Sequence, residues 1–152
     1  MIKKSLAPLA LGGFGIGMTE FVMMGILPDI ASGLHITIPQ AGYLITAYAL
    51  GVVVGAPTLV SLVAGRPPRS VLVWFMLMFA IFNAMSAFAP NFEIMMVSRF
   101  LAGLPHGAFF GVGAVVASRL ADPGRTAAAV ATMFTGLTLA NVLGVPLGTW
   151  IG

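Results

Sequence analysis

The sequence predicts an all-α membrane protein with five transmembrane helices, and three observations carry that prediction. Hydrophobic residues make up 59% of the 152 residues and charged residues only 7%, where a soluble domain carries roughly a quarter charged residues. The mean hydropathy is +1.06. At about 20 residues per spanning helix, the length holds five spans in one bundle, and among the charged residues only Glu20 and Arg99 fall inside a predicted span.

The first span is expected at about 5–27, behind Lys3 and Lys4. It is longer than the roughly 7–15 apolar residues of a secretory signal and continues past Glu20 to Pro28, so it reads as an uncleaved helix. A polar connection is expected from Pro28 to Pro39. The second span, about 40–64, carries Pro57, which should kink or break its end. The run Gly65, Arg66, Pro67, Pro68, Arg69 is a turn that keeps two arginines in water. Spans three and four follow at about 70–88 and 94–118, and the fifth at about 126–150. The chain stops at Gly152 with no polar cap behind that last apolar segment, which reads as a truncation.

Short cytoplasmic loops collect Lys and Arg. With the N-terminus in the cytoplasm, Lys3, Lys4, Arg66, Arg69, Arg119 and Arg125 all fall on that side, leaving Arg99 as the exception inside a span. The net charge of +3 comes without a basic cluster interleaved with aromatics, so nucleic acid is excluded as a partner. The absence of cysteine removes thiolate zinc sites, redox motifs and disulfides. No His-Glu-x-x-His, Gly-x-Ser-x-Gly or Walker A motif occurs. The sequence therefore points away from an enzyme and implies no cofactor and no metal.

Inside the membrane, ionisable residues are expensive and functional by default. At about 1.5 Å per residue, Glu20 lies roughly 10 Å and Arg99 roughly 8 Å below the outer surface, a depth at which they can pair. Either they form a structural ion pair, or Glu20 is a proton switch on which burial and a neighbouring guanidinium act in opposite directions. Helical spacing places Gly13, Gly17, Glu20, Met24 and Leu27 on one face of span one, and Arg99, Gly103, His106, Phe110 and Gly113 on one face of span four. His106 is then near the midplane and either couples to protons, since imidazole charge changes near neutral pH, or bonds a backbone carbonyl. Gly51 and Gly55, Gly103 and Gly107, and Gly144, Gly148 and Gly152 are small-xxx-small packing faces. Pro57, Pro105 and Pro146 are candidate kinks. Asn83, Thr138 and Asn141 are the other polar groups at depth. Met24 and Phe110, with Met23 and Phe109, suit an adaptable apolar substrate cavity, to which Asn141 adds a polar group.

Particular strings carry a resemblance. The run from Leu11 through Gly17, Thr19 and Glu20 to Pro28, and the run Tyr48 to Pro57, resemble the opening helices of major facilitator superfamily transporters. The run Arg99 to Gly113 resembles the fourth helix of the drug/proton antiporter group, of the arabinose efflux permease type, with that family's Arg-x-x-x-Gly motif on Arg99 and Gly103. Two departures stand out. Ala64 and Pro67 occupy the acidic and second glycine positions of the family's loop between helices two and three, where Arg66 and Arg69 keep the basic character. In the fifth span Gly144-Val-Pro146-Leu-Gly148 replaces the antiporter Gly-Pro and Gly-Gly pairs.

The resemblance implies five helices of an N-terminal six-helix half, whose missing C-terminal helices would be its partner in transport. It implies proton-coupled efflux of small organic solutes, sugars or drugs, across a bacterial inner membrane. Glu20 would carry the proton, with Arg99 and His106 coupled to it. The alternative is a small helical membrane protein acting as an interaction or regulatory subunit, or an inactive truncated product.

Overall fold

The computed structural model describes residues 4–151; Lys3, Gly152 and the side chain of Lys4 lie outside the described residues. A single 3₁₀ turn, Lys4–Leu6, leads into α1 (Ala7–Gly25), α2 (Leu27–Gly33), α3 (Ile38–Leu62), α4 (Pro68–Ala87), α5 (Phe92–Leu120) and α6 (Thr126–Ile151). Among the described residues, all of these helices except α2 are long and apolar enough to cross a membrane.

The connection expected from Pro28 to Pro39 is partly helical. Pro28 sits in the first turn of α2, where its missing N–H is not needed, and Asp29 lies in that turn, where the helix dipole favours a carboxylate. The helix closes when Ile36 N donates to Ala31 O (2.9 Å) and His35 N to Ser32 O (3.1 Å). These two bonds make a Schellman end with His35 at the left-handed position, φ 55°. Next, α3 starts on a capping box: Thr37 N donates to Gln40 Oε1 (2.8 Å) and Gln40 N to Thr37 Oγ1 (3.3 Å).

Pro57 does not break the second span. Helix α3 continues to Leu62, with Thr58 Oγ1 donating to Val54 O and Ser61 Oγ to Pro57 O, both at 2.6 Å. Pro105 and Pro146 likewise lie inside continuous helices. The turn after α3 needs Gly65, whose φ is +81°, and Pro68 opens α4 as its first residue. Asn91 caps α5 by accepting from Ile94 N (2.9 Å).

The chain divides into two units, one made of the residues up to Ile26 together with those from Val112, the other of Leu27–Gly111. In the first, α1 packs on α6 through small residues. A Cβ on Gly17 would stand 2.7 Å from Ala140 Cβ, and one on Gly136 would overlap Ala10 O and lie 2.8 Å from Phe14 N. Gly144 and Gly148 face Phe21 and Val22, and Gly25 faces Val145 and Thr149. The face of α1 turned to α6 is therefore Ala10, Phe14, Gly17, Phe21, Val22 and Gly25, which shares Gly17 with the stripe expected from Gly13 to Leu27. Leu27 belongs to α2, and Met24 is 41% exposed, because the helix ends at Gly25 and the small residues that permit close approach set the contact.

In the second unit α3 packs on α5 just as closely. A Cβ on Gly51 would overlap Phe100 O, one on Gly55 would overlap Leu104, one on Gly103 would overlap Tyr48 O, and one on Gly107 would overlap Val52 O. Short of moving backbone, neither helix tolerates a side chain there. Val53, Leu62 and Trp74 are exposed, the apolar outer surface that lipid acyl chains require of a spanning helix.

Candidate functional site

The glycine contact between α3 and α5 determines what lies beside it. Tyr48, Gly51 and Gly55 follow one face of α3, and Arg99, Gly103, His106 and Gly107 one face of α5. With the backbones this close, the Tyr48 side chain fits between those of Arg99 and His106. All three are buried, at 2%, 3% and 8% exposure. The Tyr48 hydroxyl and His106 Nδ1 are 2.7 Å apart, within hydrogen-bond range. The guanidinium carbon of Arg99 stands 4.2 Å from the centroid of the Tyr48 ring, a cation–π contact worth about 2 kcal/mol where it is removed from water.

Helix α4 holds the other side of Arg99. Nη1 donates to Asn83 Oδ1 (3.3 Å), and Asn83 Nδ2 donates to Phe79 O (2.8 Å), which orients the amide. Two turns of α4 and α5 are also joined by the Ser86 and Ser98 hydroxyls, 2.8 Å apart. On its far side His106 meets the Phe110 ring, centroid to centroid 5.2 Å, and Phe110 meets Phe109 edge-on at 5.6 Å. His106 is the middle residue of α5, so a helix centred in the bilayer places it at the midplane. The array can hold a fixed positive charge at one end and a titratable imidazole at the other, tied by one phenol.

Of the residues singled out from sequence, Asn83, Arg99, His106 and Phe110 come together here. Glu20, half-buried on α1, and Met24 and Asn141, both exposed, belong to the first unit. Arg66 and Arg69 are exposed in the turn between α3 and α4. There Arg66 lines a groove of about 480 Å³ with Leu59, Ser70 and Trp74, to which Tyr48, Asn83, Arg99 and His106 do not contribute. Tyr48 is the residue that sequence reasoning missed as a functional one. Its signal was present: a hydroxyl-bearing aromatic one turn before Gly51 on the face that meets α5.

The chain matches the family model of the Major Facilitator Superfamily over residues 9–152. It is similar to the inner membrane transport protein YdhP of Escherichia coli strain K12, 53% identical over 99% of this chain and 39% of that protein. It is also similar to AraJ of the same strain, 45% identical over 99% of this chain and 38% of that protein, and to a chloramphenicol resistance protein of Streptomyces lividans, 38% identical over 95% of this chain and 38% of that protein. The chain thus spans about two fifths of the length of these relatives. A match that starts in α1 and runs through all five long helices takes in both units of the structure, and the chain belongs to the Major Facilitator Superfamily.

Proposed function

We propose that this chain is the N-terminal part of a proton-coupled exporter of small organic solutes, sugars or drugs, with its N-terminus in the cytoplasm and the C-terminal helices of the same transporter completing the substrate path. Glu20 carries the proton, and Arg99 and His106 take part in proton coupling. Met24, Phe110 and Asn141 line the cavity, and Pro57, Pro105 and Pro146 give the helices room to flex. The observation that carries the reading is a charged Arg99, 3% exposed, in the interior of a helix long enough to span the bilayer and linked through Tyr48 to His106. A charge at that depth is costly and marks a functional site by default. The names of relatives add support, one an inner membrane transport protein and one a chloramphenicol resistance protein.

The test is Glu20→Gln in a full-length transporter carrying this chain, reconstituted in vesicles with an imposed pH gradient. Export driven by the gradient should be lost while membrane insertion is unchanged. Undiminished gradient-driven export in that variant overturns the assignment.

A further inference from the structure

We propose that Tyr48 is a positioning residue which fixes His106 in one tautomer: its hydroxyl donates to Nδ1, so the imidazole carries its proton on Nε2, while the face of the same ring seats the Arg99 guanidinium. The contact at 2.7 Å joins two groups that can each donate or accept. A phenol is a stronger acid than a neutral imidazole N–H, and a bare imidazole nitrogen is a stronger base than a phenol oxygen. The favourable direction is therefore from oxygen to nitrogen. The guanidinium at 4.2 Å from the ring centroid draws on the π density of Tyr48 and polarises its O–H further. Burial sharpens the preference, because a hydrogen bond in a low-dielectric site is electrostatically stronger than in water.

The consequence concerns which nitrogen is offered to the rest of the site. In the Nε2–H tautomer the one basic nitrogen is Nδ1, and the Tyr48 hydroxyl covers it. Tyr48 thus connects the position of Arg99 to the state of His106: a guanidinium leaving the ring removes the polarisation that holds the hydroxyl proton toward Nδ1. Tyr48 is placed for this by the α3–α5 glycine contact and not by its own helix alone, since Gly103 is what allows the Tyr48 backbone to approach α5.

The experiment is nitrogen NMR of the full chain in nanodiscs, with 15N-histidine, at an alkaline pH where imidazoles are neutral. The chain contains only two histidines, and His35→Gln identifies the His106 signals. Expected is a protonated, pyrrole-type Nε2 and a bare, hydrogen-bonded Nδ1. Tyr48→Phe keeps the ring under Arg99 and removes the donor, so the Nδ1 signal should shift to that of an unbonded pyridine-type nitrogen. An Nδ1–H tautomer in the wild type overturns the proposal, as does an Nδ1 signal that Tyr48→Phe leaves in place. Should Tyr48→Phe fail to fold, 3-fluorotyrosine, a more acidic phenol, replaces the two tyrosines and should move Nδ1 further in the hydrogen-bonded direction; an unmoved signal again overturns the proposal.

The meaning of this tautomer for transport rests on His106 taking part in proton coupling, and the two can fail separately. The expected tautomer together with undiminished export in Glu20→Gln removes the coupling and leaves Tyr48 as the residue that positions His106. The opposite tautomer with export still lost in Glu20→Gln removes only the role of Tyr48.

Discussion

Where α1 meets α6, Gly17 lies against Ala140 and Gly136 against Ala10; where α3 meets α5, Gly55 lies against Leu104 and Gly103 against Tyr48. Both contacts use small residues because helices in lipid gain little from hydrophobic burial and associate through close backbone packing. Their polar side chains behave differently. Thr19, Thr138 and Thr149, on α1 and α6, each donate to the carbonyl one turn back in their own helix. Tyr48 and His106 instead bond across from α3 to α5, and Arg99 reaches both Tyr48 and Asn83. Glycine packing is therefore common scaffolding, and at the α3–α5 contact it also brings a charged and a titratable group within reach of side chains on neighbouring helices.

The largest effect should come from filling the glycine contacts. Gly55→Leu and Gly136→Leu each place a side chain onto the backbone of the facing helix, and overpacking of this kind destabilises by roughly 3 kcal/mol or more. Since the chain has no native cysteine, pairs of cysteines introduced on α3 and α5, or on α1 and α6, report each contact by crosslinking yield. Loss of the α3–α5 crosslink in Gly55→Leu and of the α1–α6 crosslink in Gly136→Leu is expected. A crosslink that survives either substitution would show that its contact does not depend on the glycine.

A smaller effect should separate the two contacts. Tyr48→Phe removes one hydrogen bond between helices, worth about 0.6–2 kcal/mol in a membrane. Tyr48→Leu also removes the seat of Arg99, a further loss of about 2 kcal/mol for a desolvated cation–π contact. Thr138→Val, on α6, deletes only a bond within its own helix and should change stability by less than about 0.5 kcal/mol. Unfolding in detergent by a denaturant series measures all three. Equal losses for Tyr48→Leu and Tyr48→Phe would mean that the guanidinium contributes nothing through the ring.

The bundle was legible because its signals are strong in the sequence itself: long apolar runs, a turn marked by Gly65 to Arg69, and all charges but Glu20 and Arg99 kept out of the spans. What escaped was of two kinds. The short helix α2 was hidden by its length of seven residues, Leu27–Gly33, although Pro28 and Asp29 together mark a helix start. Pro57 suggested a possible break because a proline is a strong local signal, yet the packing of α3 outweighs one missing hydrogen bond. The site was half legible. Spacing alone put Arg99, His106 and Phe110 on one face, but the partner of that face comes from α3, and no periodicity within α5 can name Tyr48. Distance between helices is a property of tertiary packing, and here two glycines on each side set it.

The turns allow the two units to be compared once more, through effects that involve backbone conformation alone. Gly65, in one unit, has φ +81° and Gly124, in the other, φ +77°, and neither has a neighbouring atom that a Cβ would meet. The cost of Gly65→Ala and Gly124→Ala is therefore purely conformational, about 1–2 kcal/mol each for a left-handed residue with a Cβ. His35 pays the same steric penalty already, at φ 55°, so His35→Gly should recover part of it, offset by the greater freedom of glycine in the unfolded chain. A net gain of up to about 1 kcal/mol is expected, read as a rise in unfolding midpoint. A fall would mean that the His35 side chain holds the end of α2 by some interaction larger than the strain of its backbone. That result would make the α2–α3 turn, and not only the glycine contact between α3 and α5, a place where side-chain chemistry supports the second unit.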